Sequence, residues 1–231
     1  MKFRLVGLSS SPRKNRTTSD MVTYTLECAK ARVLELVPDA EVEITFVGLA
    51  QKKILPCYDC GACLRKGTLC ILKDDWISCI EPILKPSVPD GLVLGSPVYF
   101  HSTNSIMRAF MERFTCLFKQ VWHPEHPLPA PDFSKTAAGA IAVGADRNGG
   151  VEETVNNIIT FLCSCGFTIV SSANVQCGPV GYTGGTGWSK APGVSQEGIA
   201  ADKFGMHAAQ IVGRRIGETA VSLRIGQPDK E

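Results

Sequence analysis

Apolar and polar positions follow two rhythms along this chain. Short apolar runs at Phe3–Leu8, Glu41–Leu49, Gly91–Tyr99, Ala137–Gly144 and Phe167–Val175 read as strands. Longer stretches between them repeat apolar residues at helical spacing. Thr17–Leu36 does so through Met21, Tyr24, Cys28 and Ala31. Asp74 and Asp75 form an acidic first turn for a helix through Trp76, Ile80 and Ile83, stopped near Pro86. Ile106–Lys119 and Val151–Cys165 read as two more helices, and a long one runs from about Ile199 to about Leu223. Five β–α units in series predict a parallel sheet with helices on both faces.

Two segments break the rhythm. Val121–Thr136 carries Pro124, Pro127, Pro129 and Pro131 and reads as an extended surface insertion. His123 and His126 lie in it without a cysteine or carboxylate pair to complete a metal site, so they read as loop histidines. Gly178–Gly193 is glycine-rich around Trp188 and reads as a mobile flap, more structural than ligand-binding. The strand-to-helix context of a dinucleotide fingerprint is missing there.

At 231 residues the chain is long enough for one α/β domain with a sizeable core. With 44% hydrophobic and 20% charged residues it has the composition of an ordinary soluble globule. A formal net charge of +2 gives no case for nucleic acid or a membrane surface as partner. The first residues, Met1–Leu8, are too short and too charged for a secretory signal, and no apolar run is long enough to span a bilayer. Ten cysteines without such a signal point to a reducing cytoplasm, with thiols free or metal-bound.

Four of those cysteines change the picture. Cys57, Cys60, Cys63 and Cys70 are spaced C-x2-C-x2-C-x6-C. Three sulfurs at every third residue can wrap one face of a cubane iron–sulfur cluster, and a fourth close by can close the cage. Structural zinc more often uses two C-x2-C knuckles separated by a longer spacer. Zinc, free redox thiols and a motif without metal remain open at this level. A metal-free loop of this length has little else in its own sequence to hold it in place.

The turn after the first strand, Ser9–Ser19, holds six hydroxyls and three basic residues and leads into a helix. Free amides at a helix start, hydroxyls and the Arg13 guanidinium suit a phosphate monoester. A capped turn with solvated charges explains the same residues. The third strand ends in Gly95–Ser102, where Pro97 is expected to stop ladder pairing and Tyr99 and Phe100 reach the carboxyl edge. In a sheet of order 2-1-3-4-5 both loops face one crevice, because strands one and three flank the switch point. Backbone groups from Val98 to Phe100 can there pair with the edge of a planar heterocycle.

Taken together, these motifs resemble a known family. Ser9–Ser19 resembles the phosphate loop of the flavodoxin-like NAD(P)H-dependent FMN reductases, and Ser96–Phe100 resembles their isoalloxazine loop. The Cys57–Cys70 motif, followed by Lys73-Asp74-Asp75, resembles that of the iron–sulfur flavoproteins within this family. Ala145–Gly150 is similar to the family's glycine turn after strand four. Thr17 stands where the family often has Asn, Arg16 where Gly is common, and His101 where a small residue is frequent.

The resemblance implies one flavodoxin-like domain over residues 1–231, a three-layer sandwich with a five-stranded parallel sheet of order 2-1-3-4-5. It implies FMN held by Ser9, Ser11, Arg13, Thr17, Thr18, Pro97, Val98, Tyr99, Phe100, Gly149 and Gly150. It also implies a 4Fe-4S cluster on Cys57, Cys60, Cys63 and Cys70, with no residue acting as nucleophile or general base. The expected activity is electron transfer between a one-electron carrier such as ferredoxin and a two-electron acceptor, in a homodimer or homotetramer. The alternatives are an NAD(P)H-dependent FMN or quinone reductase without a working cluster, and a zinc-stapled flavin-binding module without turnover.

Overall fold

A computed structural model describes residues 1–119, 125–146, 148–173, 184–188 and 198–226 of the chain. Their strands are β1 (Lys2–Ser9), β2 (Glu41–Gly48), β3 (Gly91–Tyr99), β4 (Ser102–Thr103), β5 (Ala137–Gly144), β6 (Thr168–Ile169) and β7 (Gly185–Trp188). All seven belong to one sheet, ordered β2-β1-β3-β5-β6, with β4 paired to β3 and β7 to β5. The helices are α1 (Thr17–Leu36), α2 (Ala62–Lys66), α3 (Trp76–Leu84), α4 (Ser105–Glu112), α5 (Val151–Ser164) and α6 (Lys203–Ile225). Short 3-10 turns follow α4 at Arg113–Leu117 and precede α6 at Gly198–Ala201. No helix among the described residues is long and apolar enough to cross a membrane.

The three central strands are apolar on both faces, as strands covered by helices on both sides must be. Val6, Leu8, Leu92, Leu94, Ala138 and Ala140 join the larger core under α3, α4 and α5. Leu5, Val93, Ala137, Ile141 and Val143 point the other way, towards α1 and α6. This second face also carries Gly7, Gly91, Gly95 and Gly139, where a Cβ would run into Leu26, Ile216, Val22 and Val212 respectively. Those missing side chains let α1 and α6 settle directly on the sheet.

The expected five-position order is present, but its last position is built differently. Only Thr168 and Ile169 of the expected fifth strand pair with β5, opposite Ala137 and Ala138. The upper half of that edge is β7, with Ile141–Gly144 of β5 opposite Gly185–Trp188. The described part of the glycine-rich segment is therefore a sheet strand, correcting its reading as a flap. Its glycines fit tight quarters: a Cβ on Gly184 would lie 2.6 Å from the Ala140 carbonyl, and one on Gly185 2.5 Å from Ile141 Cδ1. Val175, Cys177, 178–183 and 189–193 lie outside the described residues.

Two more expectations change. Pro97 does not end the ladder, since it pairs with Val143 across the parallel β3–β5 register, and the chain continues into an antiparallel pairing with β4. A proline lacks only the donor, and its carbonyl and neighbours still pair. The Pro-rich insertion is also more than a surface excursion. Phe133 is buried and stacks on Phe167 at 4.2 Å between ring centroids, and His126 is buried as well. His123 and Pro124 fall within 120–124, outside the described residues.

Candidate functional site

Three loops meet at the carboxyl edge of the sheet. The first follows β1. Ser9 and Ser11 are buried there, and the Ser9 hydroxyl accepts from the Ser11 amide at 3.3 Å and from the Ser19 hydroxyl at 3.1 Å. The Ser11 hydroxyl donates to the Arg13 carbonyl at 2.9 Å, folding the loop back on itself. Arg16 occupies the N-cap of α1 and makes no side-chain cap, so the helix keeps its first amides and positive dipole end for a ligand. Thr18 is buried at this helix start, Thr17 is half-buried and Arg13 is exposed.

The second loop is a tight hairpin. Val98 and Tyr99 of β3 pair with Thr103 and Ser102 of β4. That leaves Phe100 and His101 as the turn, at φ 49° and 62°. Two left-handed residues in succession are the signature of a type I′ hairpin turn, a geometry that Asn and Gly adopt readily and a phenylalanine does not. Phe100 is fully exposed and Tyr99 half-exposed, while Pro97 and Val98 are half-buried. Strain of this kind concentrates where a ligand is gripped.

The third loop precedes α5. Gly150 has φ 95°, and a Cβ on it would lie 2.4 Å from the His101 Cα. Glycine is required here both for the backbone angle and for contact with the hairpin. Gly149 lies against Asp146, where a Cβ would approach the Asp146 Cβ to 2.9 Å. Arg147 of this turn is outside the described residues.

Asn104 ties the first two loops together. Its side-chain amide donates to the Ser10 carbonyl at 2.7 Å, while its side-chain oxygen accepts from the Met107 amide and caps α4. Its backbone amide donates to the Ser96 hydroxyl at 3.3 Å. The Ser10 amide in turn donates to the Gly95 carbonyl. Sequence reading missed Asn104 as a site residue, although an Asn directly before a helix is a legible capping signal.

The cysteine loop leaves the same edge, since Gly48 at the end of β2 lies opposite Ser9 and the Leu49 amide donates to the Ser9 carbonyl. Left-handed Gly61 and Gly67 bracket α2, which carries Cys63. Cys57, Cys60, Cys63 and Cys70 all line one cavity, together with Arg113 and Cys116 from the turn after α4. Cys60 is exposed, and the other three motif cysteines are half-buried. Cys116 is buried, and that burial pushes its thiol up to about 12, so it stands in the wall as a neutral group. Among the described residues, no group of three or more His, Cys, Asp or Glu side chains is placed to hold a single metal ion.

The loop is braced without any metal, which corrects the expectation that little else holds it. Arg113 is 1% exposed, and its Nη1 donates to Asp74 Oδ2 at 2.7 Å and to the Leu55 carbonyl at 3.0 Å. Asp74 also accepts from the amides of Leu55 and Trp76. It is thus a buried counter-ion as well as part of a helix start. The guanidinium sits 5.1 Å from the centre of the Trp76 ring. His126 braces the far end, with Nε2 3.1 Å from the Cys63 carbonyl and Nδ1 accepting from the Leu128 amide. Pro127 packs where a Cβ on Gly67 would fall. Neither brace was anticipated, although Arg113 sits at core spacing between Phe110 and Leu117, an unusual place for a charge.

Comparison with known proteins agrees with this architecture. The NADPH-dependent FMN reductase family matches over residues 3–178. An iron–sulfur flavoprotein of Methanocaldococcus jannaschii is 30% identical over 224 residues, covering 96% of this chain and 100% of the relative. One from Archaeoglobus fulgidus is 30% identical over 215 residues, covering 93% and 95%. Among solved structures, a flavone reductase superposes with a TM-score of 0.62 at 17% identity; the match covers 97% of this chain but 65% of the reductase. A WrbA-like flavodoxin from Agrobacterium tumefaciens gives 0.53 at 16%, covering 95% and 98%. These two show the flavodoxin-like fold. The chain belongs to the NADPH-dependent FMN reductase family and, within it, to the iron–sulfur flavoproteins. It is an FMN-dependent oxidoreductase.

The Arg113–Asp74 pair has a pH signature. Burial works against the Asp74 charge, but the guanidinium and the Leu55 and Trp76 amides outweigh it and hold the carboxyl below its usual range. Stability from the pair is complete above the ordinary carboxylate value of about 4 and is lost as pH falls through the lower folded value. Asp74→Asn should reduce stability at neutral pH by about 3 kcal/mol, because it strands a buried cation. It should also flatten the acid limb of a urea-unfolding series. An acid limb identical to wild type would show that the pair does not carry this dependence.

Proposed function

We propose that this protein binds FMN in the crevice between the three loops, holds a 4Fe-4S cluster in the cysteine cavity, and passes electrons from a one-electron carrier such as ferredoxin to a two-electron acceptor. The observation that carries the reading is the cavity itself. A cubane spreads four thiolates around its own body, so it calls for sulfurs lining a common space, and the four motif cysteines do so. The donor set fits in a second respect. Arg113 Nε is buried without a hydrogen-bond partner in that wall, a donor suited to an anionic group beside it. Bound there, the cluster would supply one-electron steps, and FMN would supply a centre that exchanges electrons singly or in pairs.

The chain's own residues position and bias these groups. Ser9, Ser11, Arg13, Thr17 and Thr18 would hold the phosphate with hydroxyls, a guanidinium and helix-start amides. Pro97, Val98, Tyr99 and Phe100 would border the ring system, backed by Gly149 and Gly150. Cys57, Cys60, Cys63 and Cys70 would be the cluster ligands, with exposed Cys60 nearest to an incoming carrier. A homodimer or homotetramer is part of the reading, supported by the exposed Tyr99 and Phe100 at the crevice rim. A reducing cytoplasmic setting suits the nine free cysteines among the described residues.

Anaerobically purified protein should contain iron and acid-labile sulfide in near-equal amounts, and Cys60→Ala should lose both. Stoichiometric zinc without sulfide would sink the cluster. Arg13→Ala combined with Thr18→Ala should weaken FMN binding, since charged hydrogen bonds are each worth about 1.5–3 kcal/mol. Sedimentation of wild type with FMN bound should show a dimer or tetramer. Unchanged affinity would remove the phosphate assignment, and a monomer would remove the assembly.

The family match favours a second reading, direct reduction by NAD(P)H. Stopped-flow spectroscopy separates the two. Reduced ferredoxin should reduce the flavin quickly in wild type and slowly in Cys63→Ala. Fast NADPH reduction that ignores this substitution, with ferredoxin inert, would make the protein a nicotinamide-dependent reductase instead.

A further inference from the structure

Arg113 is over-provided for a structural clamp. Its Nη1 and Nη2 atoms bind Asp74 at 2.7 and 3.4 Å, and Nη1 also reaches the Leu55 carbonyl. Those bonds are enough to tie the base of the cysteine loop to the turn after α4. The Nε–H takes no part in them and has no partner, although it is sealed from water. Buried polar groups in folded proteins are nearly always bonded, so a stranded donor in a cavity wall points to an acceptor that belongs in the cavity. All four motif cysteines line that same cavity.

The surroundings narrow that acceptor to sulfur. Cys57, Cys60, Cys63 and Cys70 line the cavity together with the guanidinium. The other cation lining the cavity, Lys119, is also buried and lies 3.9 Å from the largely exposed carboxylate of Asp59. Arg113, held by Asp74 and carrying the unpartnered donor, is a fixed and dry positive charge beside the thiolate cage.

We propose that Arg113, donating its Nε–H to a sulfur of the thiolate cage, sets the reduction potential of the cluster held in this cavity. The proposal rests on the cluster reading above. Four thiolates make the bound group an anion, and one added electron makes it more negative. A nearby donor and positive charge stabilise the reduced form more than the oxidised one, which raises the potential. Asp74 works in the opposite sense. It compensates the guanidinium from the Nη end and keeps the positive charge from acting at full strength.

The opposed signs supply a test that a purely structural role would not pass. Anaerobically purified wild type, Asp74→Asn and the double variant Arg113→Gln with Asp74→Asn are titrated with dithionite, with the cluster followed by electron paramagnetic resonance and the flavin by absorbance. The double variant avoids stranding either charge. Its cluster midpoint should fall so that the reduced-to-oxidised ratio at a given ambient potential drops at least tenfold, 59 mV for a one-electron couple. Asp74→Asn alone should shift the midpoint upwards, and the FMN midpoint should stay put in both. Arg113→Lys, which keeps the charge and loses the Nε–H, should fall between wild type and the double variant. Unchanged cluster midpoints in variants that retain iron and sulfide would overturn the proposal while leaving the cluster reading intact. Loss of iron from every Arg113 variant, with FMN and circular dichroism retained, would overturn it too, making Arg113 a holder of the site. Wild type without iron or sulfide would bring down the cluster reading itself, and this proposal with it.

Discussion

A guanidinium sealed from water must find its counter-charge inside the protein, and Arg113 finds it in Asp74. Both side chains are fully buried, and the pair spans three pieces of chain that are distant in sequence. Asp74 stands before α3, Leu55 before the first motif cysteine, and Arg113 in the turn after α4. Burying two charges is costly, and a hydrophobic pair of similar volume is often at least as stable. A protein that keeps such a pair gains specificity of position. Here the position is that of Cys57 to Cys70 relative to the sheet, because the loop enters at Leu55 and leaves at Asp74, both bound to one guanidinium.

The flavin crevice depends on a different economy, mostly of neutral groups. Asn104 bonds to the Ser10 carbonyl and caps α4 with the same side chain, so the loop after β1 and the hairpin after β3 are set by one amide. Gly150 then allows the loop after β5 to touch His101. Three loops that each follow a parallel strand reach the same rim, because parallel strands all end on one side. The cysteine loop follows β2 and joins them there. Proximity of the two candidate redox sites is therefore a consequence of topology before any particular contact is considered.

Local pattern was a good guide wherever local physics decides. The bounds of α1, β3 and β5 coincide with the apolar periodicity of Thr17–Leu36, Gly91–Tyr99 and Ala137–Gly144. The cysteine spacing and the hydroxyl-rich turn after β1 were also legible, since both act through neighbours a few residues apart. The helix expected over Ile106–Lys119 tightens to 3-10 geometry from Arg113 onwards, and there Arg113 reaches Asp74. The last sheet position was misread because its strand comes from two short segments, β6 and β7, neither long enough to show a period. Gly185-Thr-Gly-Trp188 does alternate, but glycine-rich alternation reads as a turn until a strand is known to be waiting for it.

What the sequence determined by itself is the order of elements, the sheet class and the types of chemistry on offer: four thiols at cluster spacing and a loop suited to a phosphate. Those properties are carried by residues near one another along the chain. What only the tertiary structure decided is which groups meet. The Arg113–Asp74 pair, the His126 bond to the Cys63 carbonyl and the Asn104 link to Ser10 join residues 39, 63 and 94 positions apart. No periodicity or propensity encodes such pairings, because the competition that selects them is between whole packings of the chain and is settled only when the sheet and its helices close.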